Sequence, residues 1–191
     1  MRLASIILII SILWIGWLAM MLVHETGHVL GAIASGGTIR QVVWHPMVLS
    51  RTDVEPNPHP LIELWAGPII GSLLPTIVAS ICLAFRLRSA YLIWVVVGFC
   101  LTANGAYIGI GAFDPVGDAR EMVAHGMPRW TLALFGFIAA AAGVWIWHNI
   151  SPHLGFGPAP VPVNPHHTWG VFAIALLLTA IGLVIGNPGS P

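Results

Sequence analysis

Residues 3–34 read LASIILIISILWIGWLAMMLVHETGHVLGAIA. Residues 3–23 carry no charge and no proline, and a helix of about 20 such residues crosses the roughly 30 Å hydrocarbon layer of a bilayer. The apolar run continues into His24-Glu25-Thr26-Gly27-His28 before Gly36-Gly37 stops the helix. Two histidines four positions apart lie on one helix face, about one turn from each other, so both imidazoles can reach one zinc ion. The carboxylate beside the first can then act as general base on a water that the metal activates. Hydrolysis needs water and hydrocarbon excludes it, so the motif is expected toward one face of the bilayer. Ionisable groups at membrane depth are costly and usually mark function. The bland alternative has His24 and His28 snorkelling to headgroups with Glu25 as their partner.

The rest of the chain has the same character. Of its 191 residues, 57% are hydrophobic and only 7% charged, against about 25% charged in a soluble domain. No soluble fold of this size hides that much apolar surface. The expected fold is all-α: one integral membrane domain over residues 1–191, a multi-pass transmembrane helix bundle. About five spans are expected, near 3–34, 61–85, 90–112, 130–147 and 169–185. Residues 38–44 alternate partly and are rich in β-branched side chains, which predicts a short β segment after the first span. Pro56, Pro58 and Pro60 forbid regular structure beyond it. Trp130, Trp145, Trp147 and Trp169 fall near span ends, where interfacial aromatics sit.

The formal net charge is zero and there is no basic run, which argues against nucleic acid and leaves the lipid bilayer as the general partner. Arg2, Arg86 and Arg88 fall on one face and Arg40, Arg51, Arg120 and Arg129 on the other, so arginines do not orient the protein. Cys82 and Cys100 lie inside spans and read as small apolar fillers. The first twenty residues have the pattern of a signal peptide, but cleavage there would strip the helix in front of the metal motif. The first span is therefore expected to be retained. The Pro-, Gly- and His-rich loop from Ser151 to His167 is assigned no role.

Catalytic zinc takes three protein ligands and leaves one position open. The first and third spans end on the same face. Asp114 and Asp118, just past the third span, are thus on the correct side, as are Glu63, His45 and His59, with Glu63 the strongest of these last three. Asn104 is a polar amide in an apolar span, which by itself reads as an interhelical hydrogen bond. Gly27 and Gly31 let a neighbouring helix or a substrate approach closely, and Pro68 kinks the second span.

Together these elements resemble the site-2 protease family of intramembrane zinc metalloproteases. That family carries HExxH on one core helix, an aspartate in an Asp-Gly motif on another, and a Gly-Pro helix between them. His24 to His28 match the first element. Ala66-Gly67-Pro68-Ile69-Ile70-Gly71 resembles the middle helix, and Asn104 followed by Asp118-Ala119-Arg120 resembles the family's Asn followed by Asp-Gly-x-Arg. The resemblance covers residues 1–125, with two additional spans in 126–191. It departs at the aspartates: Pro115 follows Asp114, Ala119 follows Asp118, and there is no peptide-binding accessory domain within the chain.

The resemblance implies a zinc metalloendopeptidase with metal ligands His24, His28 and Asp118, Asp114 being the alternate third ligand. It implies Glu25 as the catalytic base, and Asn104 as a donor to the substrate backbone or the developing oxyanion. The substrate would be a transmembrane protein or peptide, cleaved in or near its membrane segment, most simply in the cell (plasma) membrane. Two other functions fit the same residues. One is a catalytically inactive zinc-binding membrane protein. The other is a membrane metal or proton transporter, with Glu25, Asp114 and Asp118 along one path.

Overall fold

The computed structural model describes residues 3–87, 89–157 and 159–188. Arg2 and Arg88, two of the expected face markers, lie outside these residues. The apolar run at the start forms helix α1, Leu3–Ser35, about 50 Å long at the α-helical rise. It ends where Gly36 turns left-handed, at φ 79°. The Gly37 N–H then donates to the Ala32 carbonyl at 2.8 Å, which satisfies one of the carbonyls a helix end leaves open.

Two antiparallel strands follow, β1 (Ile39–His45) and β2 (Val48–Val54), joined by a turn at Pro46-Met47 and packed against the end of α1. The sequence predicts one short β segment here, and the structure pairs it with a second. Pro56 and Pro58 act downstream of β2, whereas Pro60 does not forbid regular structure but begins α2, because proline fits the first helical turn. The hairpin is also held from the far end of the chain. The Trp44 N–H donates to the Asn187 carbonyl and the Asn187 amide donates to the Val42 carbonyl, both at 2.9 Å.

The remaining helices are α2 (Pro60–Ala84), α3 (Ala90–Gly111), the short α4 (Gly117–Ala124), α5 (Arg129–Ile150) and α6 (Pro165–Ile185). The fold is an all-α bundle in which five helices, α1, α2, α3, α5 and α6, are long and apolar enough to cross a membrane. Their outward faces carry large apolar side chains such as Ile10, Leu73, Phe137 and Val184, as a lipid-facing surface requires. The last span begins at Pro165, a few residues earlier than expected. Pro165 fits the first helical turn, and Asn164 caps it by accepting from the His166 N–H at 2.9 Å.

Glycines decide how closely the helices approach. α3 and α5 pack through Gly98, Gly105 and Gly109 on one side and Gly136 and Gly143 on the other, the small-residue packing typical of membrane helices. Trp147 fills the gap at Gly98 and donates its indole N–H to the Val95 carbonyl at 3.0 Å. It is thus a packing residue between helices, whereas Trp130, Trp145 and Trp169 are exposed near helix ends. α2 packs on α1 where Gly27 and Gly31 face Ala66, Gly67 and Glu63.

A Cβ at Gly136 would sit 2.7 Å from the Gly105 carbonyl oxygen and 2.8 Å from the Gly109 nitrogen, both backbone atoms that cannot rotate away. Gly136→Ala should therefore destabilise the bundle by about 1–3 kcal/mol, read as a lowered unfolding midpoint in detergent. Gly170→Ala, where a Cβ meets open space, should leave that midpoint unchanged or slightly raised.

Candidate metal centre

His24 and His28 lie on the face of α1 that meets α2 and α3, and both are buried. Each ring is oriented by an acceptor on its Nδ1. The Asn104 Oδ1 lies 2.7 Å from His24 Nδ1, while the Asn104 amide donates to the Cys100 carbonyl at 2.9 Å. A carbonyl only accepts, so the amide nitrogen must face Cys100 and the oxygen must face the imidazole. His24 therefore carries its proton on Nδ1. His28 Nδ1 faces two oxygens of one residue, the Glu63 carboxylate at 2.7 Å and the Glu63 carbonyl at 3.1 Å. It too is the protonated nitrogen. Asn57 donates to the other Glu63 carboxylate oxygen at 3.3 Å.

With both protons on Nδ1, the two neutral rings turn their Nε2 lone pairs toward one point. The two Nε2 atoms lie 3.0 Å apart. Asp118 Oδ2 completes the triangle, 2.9 Å from His24 Nε2 and 3.2 Å from His28 Nε2. Three acceptors at such distances repel unless positive charge sits among them, as protons or as a metal ion. Ligands about 2.0–2.1 Å from a tetrahedral metal stand about 3.3 Å from one another, close to the observed spacing. His24, His28 and Asp118 can thus hold a metal ion, and no other such group occurs among the described residues. The outer partners on the imidazoles are those that metal-ligating histidines require.

Asp118 reaches this point because α3 ends at Gly111 and the chain re-enters a helix at Gly117, whose φ is 51°. Asp118 then occupies the first turn of α4, and its backbone N–H donates to the Tyr107 hydroxyl at 2.9 Å. Burial pushes the Asp118 carboxyl pKa up, but when protons rather than a cation fill the triangle, hydrogen bonds and charge from His24 and His28 outweigh burial and hold it well below the ordinary carboxylate range. A carboxyl lowered in this way favours the folded state above its ordinary value of 3.8. That contribution is lost only as pH falls through the lower folded value. In mild acid Asp118 therefore stays ionised.

Asp114 sits exposed in the turn after α3 and does not join the group. Glu63 stands behind His28. His45 accepts from the Met47 N–H, and His59 precedes α2. Glu25, also buried, accepts from the Thr52 hydroxyl at 2.7 Å. The side chains of His24, Glu25, His28, Asn104, Tyr107 and Asp118 all line one cavity of about 1090 Å³, roofed by β2.

No protein-family model, curated protein or solved structure matches the chain. The chemistry of the site therefore rests on its own atoms.

Two contributors escape a reading of the sequence. Tyr107 lies three residues after Asn104 on the same helix, a spacing that puts both on one face, and this signal could have found it. Thr52 arrives from a strand with no local pattern to point at Glu25. The Gly67-Pro68 pair also acquires a specific meaning, because any side chain at 67 would collide with the His28 imidazole.

If the group holds a divalent cation, with zinc as the probe, replacing Asp118 by Asn should lower its affinity by at least about 100-fold, while Asp114→Asn leaves it unchanged. Glu63→Gln, an outer-shell change, should lower it by about 10- to 100-fold. Competition titrations against a chromophoric chelator in detergent measure all three.

Proposed function

We propose that the protein is an integral, multi-pass membrane zinc metalloprotease of the site-2 protease type, hydrolysing peptide bonds in or near transmembrane segments. The observation that carries this reading is the convergence of three lone pairs beside a buried glutamate in one cavity. Two imidazoles and one carboxylate, with no thiolate, form a borderline N/O set that suits zinc and leaves a fourth position open. Such an ion supplies Lewis acidity to a water and to the scissile carbonyl.

The chain's own residues supply the rest. Glu25 takes the proton from the attacking water and returns it to the leaving amine. Thr52 holds the Glu25 carboxylate on the cavity side of α1. Asn104 and Glu63 keep the two imidazoles in the tautomer that presents Nε2. With its oxygen on His24 and one N–H on Cys100, Asn104 serves in this reading to position His24. The cavity is large enough for an extended peptide, and it opens among helices long enough to span a bilayer, which favours a membrane-borne substrate. The cell membrane is the simplest location.

A carrier reading finds no comparable support. Every acidic residue of the chain lies at the end of the bundle that holds the cavity, on the last turns of α1, the hairpin and the segment before α2, the start of α2, or the α3–α4 region. A relay needs ionisable groups through the whole thickness.

The test is the Glu25→Gln variant in proteoliposomes containing a mixture of single-span membrane peptides, with new termini read by mass spectrometry. Cleavage should fall by about 10²- to 10⁴-fold while one zinc per chain is retained. Undiminished cleavage in this variant would overturn the mechanism.

A further inference from the structure

We propose that Tyr107 is a catalytic residue, its phenolic O–H donating a hydrogen bond to the oxyanion that forms as a peptide carbonyl is attacked. The inference rests on the protease reading above and adds a role to it. Tyr107 projects from α3 into the cavity, one helical turn beyond Asn104, and stands edge-on to the His24 ring with centroids 6.0 Å apart. It remains 36% exposed although neighbouring α3 residues such as Asn104 and Ile108 are buried, because it faces the cavity.

Its hydroxyl is fixed from one side only. The oxygen accepts the Asp118 backbone N–H at 2.9 Å, which places it beside the residue whose carboxylate completes the metal triangle. Gly117, with positive φ, leaves the room the hydroxyl occupies, since a Cβ there would collide with it. A phenol that accepts one hydrogen bond still has its own proton to donate. That proton has no acceptor among the described residues. A polar hydrogen held beside a candidate metal-binding group, with no partner among the described residues, is placed to meet a group that exists only during reaction.

The step balances without further reagents. Water oxygen forms the C–O bond, Glu25 takes the water proton, and the carbonyl π pair moves onto oxygen, where Tyr107 donates to it and keeps its proton. The oxyanion pair then re-forms the carbonyl as the C–N bond breaks; the C–N pair stays on nitrogen and takes the proton that Glu25 returns, which leaves a carboxylic acid and an amine.

The alternative is that Tyr107 only anchors the start of α4 and so positions Asp118. Tyr107→Phe in the full-length, zinc-loaded protein in detergent separates the two, with two probes measured by calorimetry. A phosphinic pseudo-tripeptide carries an oxyanion where the attacked carbonyl would be. A mercaptoacyl dipeptide binds through sulfur and needs no oxyanion donor. Tyr107→Phe should weaken the phosphinic probe about 10- to 100-fold, with mercaptoacyl affinity and zinc stoichiometry unchanged.

Equal affinity of both probes for variant and parent would overturn the proposal. So would a parallel loss of both probes and of zinc, which assigns Tyr107 to positioning Asp118. A parent protein that binds neither probe would also overturn it. Selective loss of the phosphinic probe in a protein that cleaves no membrane peptide would leave Tyr107 as the oxyanion donor and overturn the protease reading alone.

Discussion

Three lone pairs aimed at one point inside an apolar bundle are the constraint around which the rest is arranged. Left bare, the two Nε2 atoms and the Asp118 oxygen would repel across about 3 Å in surroundings that screen poorly. The protein does not relieve this by turning a ring. It prevents ring rotation with an acceptor behind each imidazole, Asn104 on α3 and Glu63 on α2. Each of these is itself held, Asn104 by the Cys100 carbonyl and Glu63 by the Asn57 amide. A fold that commits two buried polar side chains to keep acceptors facing one another can hold a cation at the meeting point.

The same constraint explains the placement of the small residues nearest the site. α2 must come close enough for the Glu63 carbonyl and carboxylate to reach His28, and Gly27, Gly31 and Gly67 provide that approach. Behind α3, the glycine contacts with α5 fix the helix that carries both Asn104 and Tyr107. A Cβ at Gly105 would stand 2.5 Å from the Ala140 nitrogen, so α5 sets how far α3 can lean toward α1. The candidate metal ligands all lie in the first two thirds of the chain, yet the later helices brace the elements that hold them.

What the sequence makes legible follows from the range of each interaction. The spans can be read because burial in lipid acts on composition residue by residue. The His24–His28 pair can be read because its geometry is contained in one helical turn. The choice between Asp114 and Asp118 cannot, since it turns on the path of residues 112–117 and on a left-handed Gly117. Glu63 faces the correct end of the bundle, so it competes as a ligand on paper. Only the packing of α2 on α1 puts it behind the ring on Nδ1. β2 is hidden for another reason: Val48-Leu49-Ser50-Arg51-Thr52-Asp53-Val54 has no clean alternation. Its register comes from pairing with β1, with irregularities on both sides. Tyr107 in an apolar span reads as one more large side chain until its hydroxyl is seen against the Asp118 N–H.

The hydrolysis proposed for this site would also need water, and the length of α1 together with the hairpin bears on how it could arrive. At about 50 Å, α1 exceeds a hydrocarbon layer of roughly 30 Å, so His24 to His28 can lie within or beside that layer while the last turns of the helix carry the hairpin. Non-helical backbone at such depth is tolerated only where it is covered by protein or lines a wet cavity. β2 meets this condition by lining the cavity through Ser50, Arg51, Thr52 and Asp53. β1 takes its outer hydrogen bonds from Asn187 beyond α6. The hairpin thus faces the cavity through β2 and is tied through Trp44 and Val42 of β1 to the chain beyond α6. The helix that extends furthest past the hydrocarbon layer is also the one that carries two of the three candidate metal ligands, His24 and His28, so the site can be held by apolar packing and still be reached by water.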